Sequence, residues 1–341
     1  MELVEKVYRN KLKVNYVFTT SEKELLEQRF LKLKSNPYTN YVGFREEISN
    51  LVNKDSKFQV IVNKIKEIGN RVWKEEPYLY LQNCPIDKDV PIFDHETPVV
   101  SKRELKKTYI AEAFLEFYAQ IIETPAIGYI NVNDGDVFQD IYPMKKLANS
   151  QSQKAMASLG FHKDLANHFV RPDFVNMLSM RSSEKNEIYT TFVKNTDLMK
   201  RLSKDDIKIM KTESFYTPFD DLSVHGNNSK LGRAKNHRIL LDENEYDIAY
   251  FENRTVGLNE EAQEVVEKIK RLLHELKAPH LLKPGEFISL SNNHSIHGKD
   301  VGVISDLEAQ KIRWIIKTVN VWDLDKHKQF MINGSDCIVE G

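Results

Sequence analysis

Four short runs of β-branched and aromatic residues do most to limit how this chain can fold: Ala126 to Ile130, Phe174 to Met180, Phe287 to Leu290 and Arg313 to Trp322. Each is about the length of a strand, and turn signals such as Asn133-Asp134-Gly135 and Pro284-Gly285 punctuate the sequence around them. Long connections separate the runs. Neither a regular strand–helix alternation nor a glycine-rich phosphate loop is present, which argues against a doubly wound sheet. Short strands with long excursions fit an α+β protein built on a double-stranded β-helix (jelly-roll) core with surrounding and inserted helices.

Helical spacing appears on either side of the central runs. Ser101-Lys102-Arg103-Glu104 has the form of a capping box, and it predicts one helix running through Leu105, Tyr109, Phe114 and Phe117 until Pro125 stops it. Asn259 is placed to cap a second helix. Its apolar stripe is Ala262, Val265, Val266, Ile269, Leu272, Leu273 and Leu276. The expected organisation is a single domain over residues 1–341. Residues 1–120 are mainly helical, and 120–325 form the jelly-roll core with a helical insert at about 195–280.

Composition narrows the partners. Forty-nine basic residues stand against fifty acidic ones, without the basic excess that duplex binding normally needs, so no nucleic acid is expected. No apolar run approaches the roughly 20 residues that span a bilayer, and the charged start, Met1 to Lys13, lacks a signal peptide's apolar stretch, so no membrane is expected either. Two cysteines, Cys84 and Cys337, are too few for a disulfide framework or a thiolate metal site, and they fit a reducing cytoplasm. Apolar residues make up 41% of the chain, enough for a sizeable core, and apolar positions in the amino-terminal helices leave room for a homodimer.

Of the ten histidines, one pattern carries chemistry. In Phe161-His162-Lys163-Asp164 the imidazole and the carboxylate are two residues apart, so an extended backbone would turn both to one face. Chance alone would supply about one or two such pairs in a chain of this composition, so a third ligand is needed. The segment from Pro284 to Gly298 reads as a turn, a strand, a polar bend and then His297-Gly298. His294, three residues earlier, competes with His297, and His225-Gly226 imitates it without a preceding strand. Two histidines and one carboxylate on one face of iron(II) leave three positions open for a chelating co-substrate and dioxygen.

Arg313-Trp314-Ile315-Ile316-Lys317-Thr318-Val319 adds an independent argument. Arg313, Ile315, Lys317 and Val319 share one strand face, with the two cations about 13 Å apart at Cα. Facing a barrel interior, such cations need an anion, and an arginine fork suits a carboxylate. On a solvent-facing edge strand they would simply be hydrated.

Taken in order, these segments resemble the clavaminate synthase-like iron(II)/2-oxoglutarate-dependent oxygenases, and within them the free amino acid hydroxylases, with the free L-lysine hydroxylases the nearest likeness. The resemblance covers roughly residues 126 to 323. It rests on Gly135-Asp136-Val137-Phe138-Gln139-Asp140-Ile141-Tyr142-Pro143, on Phe161-His162-Lys163-Asp164 with Arg171-Pro172-Asp173-Phe174 and Leu178-Ser179-Met180-Arg181, on Ile296-His297-Gly298, and on Arg313-Trp314-Ile315-Ile316-Lys317. It implies that His162, Asp164 and His297 bind Fe(II), that Arg313 grips the far carboxylate of 2-oxoglutarate, and that the hydroxyl of Thr191 assists. Lys317 stands where relatives often carry an arginine for the substrate's carboxylate, and Asn133 where they often carry a glutamine at its amino-acid end. Aspartate at 164 departs from the more common glutamate but keeps the carboxylate, which favours hydroxylation over halogenation.

The activity so implied consumes O2 and 2-oxoglutarate, releases succinate and CO2, and hydroxylates an unactivated carbon of a free L-amino acid. L-lysine is the expected substrate, at C4 in preference to C3, with Asp220, Asp221 and Glu252 as acidic partners for its side chain. Arginine, asparagine or a carrier-bound amino acid are alternatives, as is a non-catalytic jelly-roll binding protein.

Overall fold

The β-branched runs pair into two sheets that face each other, as the computed structural model shows for residues 12–148, 150–219, 234–241 and 246–340. The larger sheet contains β1 (Tyr16–Val17), β2 (Tyr78–Gln82), β3 (Ala126–Tyr129), β4 (Gln139–Ile141), β6 (Phe174–Arg181), β12 (Phe287–Ser291), β14 (Trp314–Asn320) and β15 (Ile338–Val339). Its order is β1-β2-β12-β6-β14-β3-β15, with β4 also pairing with β14. The smaller sheet, made of β5 (Leu159–His162), β7 (Asn186–Lys194), β11 (Ala278–His280) and β13 (Ser295–Ile304), has the order β11-β7-β13-β5. This is the jelly-roll expected from the sequence.

Side-chain alternation fills the space between the sheets. Val175 and Met177 of β6, Phe192 of β7, Ile288 and Leu290 of β12, and Ile315 and Val319 of β14 form one buried cluster. Fully burying a side chain of this kind contributes about 1.5–3 kcal/mol. Because β14 lies mid-sheet, flanked by β6 on one side and by β3 and β4 on the other, its inward face is barrel interior and not a solvated edge.

Helices cover both outer faces. Helices α1 (Thr20–Phe30), α2 (Tyr41–Lys54), α3 (Ser56–Gly69) and α5 (Ile110–Ile122), with the short α4 (Pro98–Leu105) before the last, lie against the large sheet. There Phe44, Phe58, Phe114 and Phe117 join Leu178, Phe287 and Ile316 in one core. Within residues 12–120 the helices are accompanied by β1 and β2, which belong to the same sheet as the central strands. On the smaller sheet lie α6 (Asn195–Met199), α7 (Lys204–Met210) and α8 (Glu260–Leu276). The apolar stripe of α8 packs with Phe161, Val193 and Ile296, and Asn259 caps it by accepting from the Ala262 amide at 2.8 Å, as its sequence predicts. A third, small sheet of β8 (Phe215–Tyr216), β9 (Asn236–His237) and β10 (Val256–Gly257) lies in the insert.

The capping box expected at Ser101 does not form. Ser101 sits inside α4, which begins after Thr97 with Pro98 in its first turn, and the chain leaves the helix at Lys106 before α5 starts. A long-range cap explains the break. The Asp87 carboxylate accepts from the amides of Ile110 and Ala111 at 3.1 Å, and the buried Lys106 ammonium bridges Asp87 and Glu112. Glu123, in the left-handed conformation at φ 58°, ends α5 two residues before Pro125. No helix among the described residues is long and apolar enough to cross a membrane, and the two cysteines are buried free thiols.

Candidate metal centre and cavity

His162 and His297 are cross-strand partners on β5 and β13, so the two imidazoles come together with their centroids 4.6 Å apart. β5 ends at His162, and Asp164 lies in the turn just beyond it. Its Oδ1 is 3.1 Å from His162 Nε2 and 3.5 Å from His297 Nε2. One ligand atom from each of the three residues falls within 4.8 Å of the others, and all three side chains are buried. Nδ1 of His162 lies 2.9 Å from the Gly160 carbonyl, which fixes the tautomer and leaves Nε2 its lone pair. Two imidazoles and a carboxylate converging in this way suit a divalent ion.

Surrounding groups hold this cluster in place. Asn292, in the polar bend before β13, accepts from the Asp164 amide and donates to the carbonyls of Asp164 and Pro172. Asn293 donates to Asp173, whose other oxygen accepts from the Trp322 amide. Glycine at 298 suits the close ladder, since a Cβ there would lie 3.0 Å from the Leu159 carbonyl oxygen and crowd it. His294 faces elsewhere, with Nδ1 2.9 Å from the Ser291 hydroxyl, so the third position of the cluster falls to His297. His225 lies outside the described residues.

A narrow cavity of about 40 Å³ runs from the three residues to Arg313. Arg313 is 7% exposed and has no side-chain hydrogen bond or ion pair among the described residues. Burial alone pulls its guanidinium down to about 10. Lys299, on β13, lines the same space, and burial together with Arg313 pulls it down to about 7. The Asp164 carboxyl behaves oppositely. Burial would raise it, but Lys317 and the two imidazoles hold it well below the usual carboxylate range.

A larger cavity of about 340 Å³ opens on the other side of His162 and Asp164. Phe251 stacks on the His162 ring there, 5.0 Å between centroids, and Gln139, Gln153, Asn167, His168 and Phe219 add to its wall. Lys317 lines both cavities and donates to Asp164 Oδ2 at 2.5 Å and to Gln153 at 2.9 Å. Among the described lining residues Asp164 is the one acid.

Three expected positions differ. Thr190, not Thr191, lines the narrow cavity: alternation along β7 turns Phe192 and Thr190 inward and Thr191 to the other face, opposite Gly298. Asn133 is not in the cavity wall, because it sits in a turn at φ 50° where its side-chain oxygen accepts from Lys154. The glutamine that faces the cavity is Gln139, beside Lys317 in the β4–β14 ladder, with its Nε2 unpartnered among the described residues. A strand of only three residues gave no period to reveal it. Glu252 is a structural acid, accepting from the Phe161 amide and lying 2.8 Å from His274. Asp220 and Asp221 lie outside the described residues.

No family model matches the chain. Among curated proteins it is 25% identical over 179 residues to an L-lysine 3-hydroxylase of Catenulispora acidiphila, covering 51% of this chain and 49% of that protein. It is 22% identical over 233 residues to clavaminate synthase 2 of Streptomyces clavuligerus, covering 67% and 70%. The chain thus spans about half the length of the first of these relatives. An asparagine oxygenase solved with Fe(II), 3-hydroxyasparagine and succinate superposes with a TM-score of 0.76 at 16% identity, covering 95% of this chain and 98% of that one. The non-haem iron oxygenase OrfP, solved with iron and α-ketoglutaric acid, superposes at 0.71 and 13% identity, covering 95% and 98%. The superpositions establish the fold, and the sequence matches make the chain similar to a lysine 3-hydroxylase and to a clavaminate synthase over about half to two thirds of its length.

Proposed function

We propose that this chain hydroxylates an unactivated side-chain carbon of a free L-amino acid, using Fe(II), O2 and 2-oxoglutarate and releasing succinate and CO2. One observation carries the reading: a buried His162–Asp164–His297 cluster joined by a narrow cavity to a buried Arg313 that has no counter-anion among the described residues. A metal ion alone does not call for that guanidinium. A chelating diacid does, with its keto acid end at the ion and its far carboxylate on the arginine fork.

The iron, when bound, would supply the oxidising chemistry that replaces C–H by C–OH. This chain's own residues bind and position. His162, Asp164 and His297 hold the ion, and Arg313 and Thr190 receive the co-substrate's far end. Lys317 and Gln139, buried in the wall of the larger cavity, take the substrate's amino-acid end. Phe251 and Phe219 keep water from that cavity's wall.

L-lysine comes first among the substrates because a lysine 3-hydroxylase is among the relatives, with oxidation at C3 or C4. A second reading, a neutral amide side chain such as asparagine's, is favoured by the amides Gln139, Gln151, Gln153 and Asn167 in the wall, where Asp164 is the one acid among the described residues. Incubation with Fe(II), ascorbate, 2-oxoglutarate and each amino acid separately decides between them. Succinate and a product one oxygen heavier should appear together, most abundantly with lysine, and product NMR gives the carbon. Succinate release that no amino acid stimulates removes the proposal.

A further inference from the structure

The narrow cavity holds more positive charge than a single arginine would require. Lys299 lies two residues beyond His297 on β13, opposite Thr190 of β7, and its side chain is 8% exposed. It lines the same space as Arg313, Thr190, Met177 and Ile315. Its ammonium has three donors but makes one hydrogen bond, to the Ala155 carbonyl at 2.6 Å. No ion pair to Lys299 or Arg313 forms among the described residues, and the charged neighbour that Lys299 feels is Arg313 itself, a repulsion. Two buried cations around one apolar-walled space make an arrangement that is costly when empty of anions and favourable when a carboxylate enters.

We infer that Lys299 is a second co-substrate-binding cation, which together with the Arg313 fork brackets the far carboxylate of a 2-oxo diacid. This rests on the proposed function, since it takes the narrow cavity to be the 2-oxoglutarate site. The arrangement assigns Arg313 the planar, two-point contact and Lys299 a point charge from the other strand, so the site selects a diacid over a 2-oxo acid of equal length that lacks the far carboxylate. A purely structural lysine, satisfied by Ala155 alone, would give no such selectivity.

The test is binding and not turnover. The wild-type protein, loaded with Co(II) in place of iron, is titrated calorimetrically with 2-oxoglutarate and with 2-oxovalerate, alongside Lys299→Met and Lys299→Arg. Loss of a charge-assisted hydrogen bond should raise the 2-oxoglutarate Kd of Lys299→Met at least about tenfold. The arginine variant should keep most of the affinity, and 2-oxovalerate should bind the wild type and Lys299→Met about equally. If Lys299→Met does not melt cooperatively, Lys299→Gln replaces it. A Kd unchanged in the neutral variant overturns the role of Lys299, and so does an equal loss in the arginine variant, which would assign the effect to packing. A wild-type protein that binds Co(II) but no 2-oxoglutarate overturns the oxygenase reading itself, so the two failures are distinguishable.

Discussion

Trp314 donates its indole N–H to Asp140 at 2.9 Å, and the chain neighbours of this pair, Arg313 and Gln139, line the narrow and the larger cavity respectively. The other Asp140 oxygen accepts from Lys102, whose ammonium is fully buried, at 2.6 Å. A helix outside the sheet thus reaches through Asp140 to the strand that carries the cavity-lining cations. Asp140→Asn keeps the shape but removes the one carboxylate that the buried Lys102 ammonium donates to among the described residues. It should cost about 3–5 kcal/mol of stability in denaturant unfolding, the usual penalty for an orphaned buried ion. A loss of about 0.5 kcal/mol, typical of an exposed pair, would refute that role for the contact.

The metal cluster gives a second prediction. His162→Ala and His297→Ala each remove one imidazole from a set of three, so tight Fe(II) or Co(II) binding should disappear along with succinate formation. Melting should change little in the absence of metal, because each ring borders a cavity. Anaerobic titration measures the affinity. Metal bound as tightly by either variant as by the wild type would take that histidine out of the site.

Arg313 is expected to behave differently. Truncating one partner of a buried charge pair costs about 2–5 kcal/mol, so Arg313→Ala should raise the 2-oxoglutarate requirement at least about thirtyfold. Metal affinity should stay unchanged, because the guanidinium is not one of the three clustered ligands. Steady-state KM for 2-oxoglutarate, set beside Co(II) affinity, separates the two effects. A parallel fall in both would mean that Arg313 supports the metal cluster and not the diacid.

Much of this site can be read from the sequence because its parts are local or periodic. His162 and Asp164 are two residues apart, and Arg313 and Lys317 stand four apart on one strand face, so alternation alone turns each pair to a common side. The strand that carries the two cations and the capped α8 were legible for the same reason. The resemblance points to Thr191, one residue from the cavity-lining Thr190, and in a strand a slip of one reverses the face. Gln139 sits in a three-residue strand too short to show a period, and Asn133, offered in its place, is turned away by its left-handed backbone. Asp87 caps α5 across more than twenty residues and leaves no local signal, so the Ser101 pattern points to a cap where Asp87 holds that role for the next helix. Long-range polar contacts of this kind are invisible to spacing arguments.

Gln139 offers the sharpest test of how the larger cavity works. Its Nε2 is buried without a partner among the described residues, and a buried donor left unmade is costly unless a ligand takes it up. Its cross-strand partner is Lys317, whose ammonium already reaches Asp164 and Gln153, so the two side chains present neighbouring donors at the same end of the cavity. An α-carboxylate arriving there would accept from both. Gln139→Leu keeps the volume and removes the donor. It relieves the orphaned group in the free protein, so stability should hold or rise slightly. The amino acid's KM should climb about tenfold, the value of one hydrogen bond to a charged group. Slow succinate release without amino acid should stay as it is, since the narrow cavity is untouched. Substrate-dependent and substrate-independent succinate formation, measured side by side, check this. An unchanged amino-acid KM would assign the amino-acid end of the substrate to some other group.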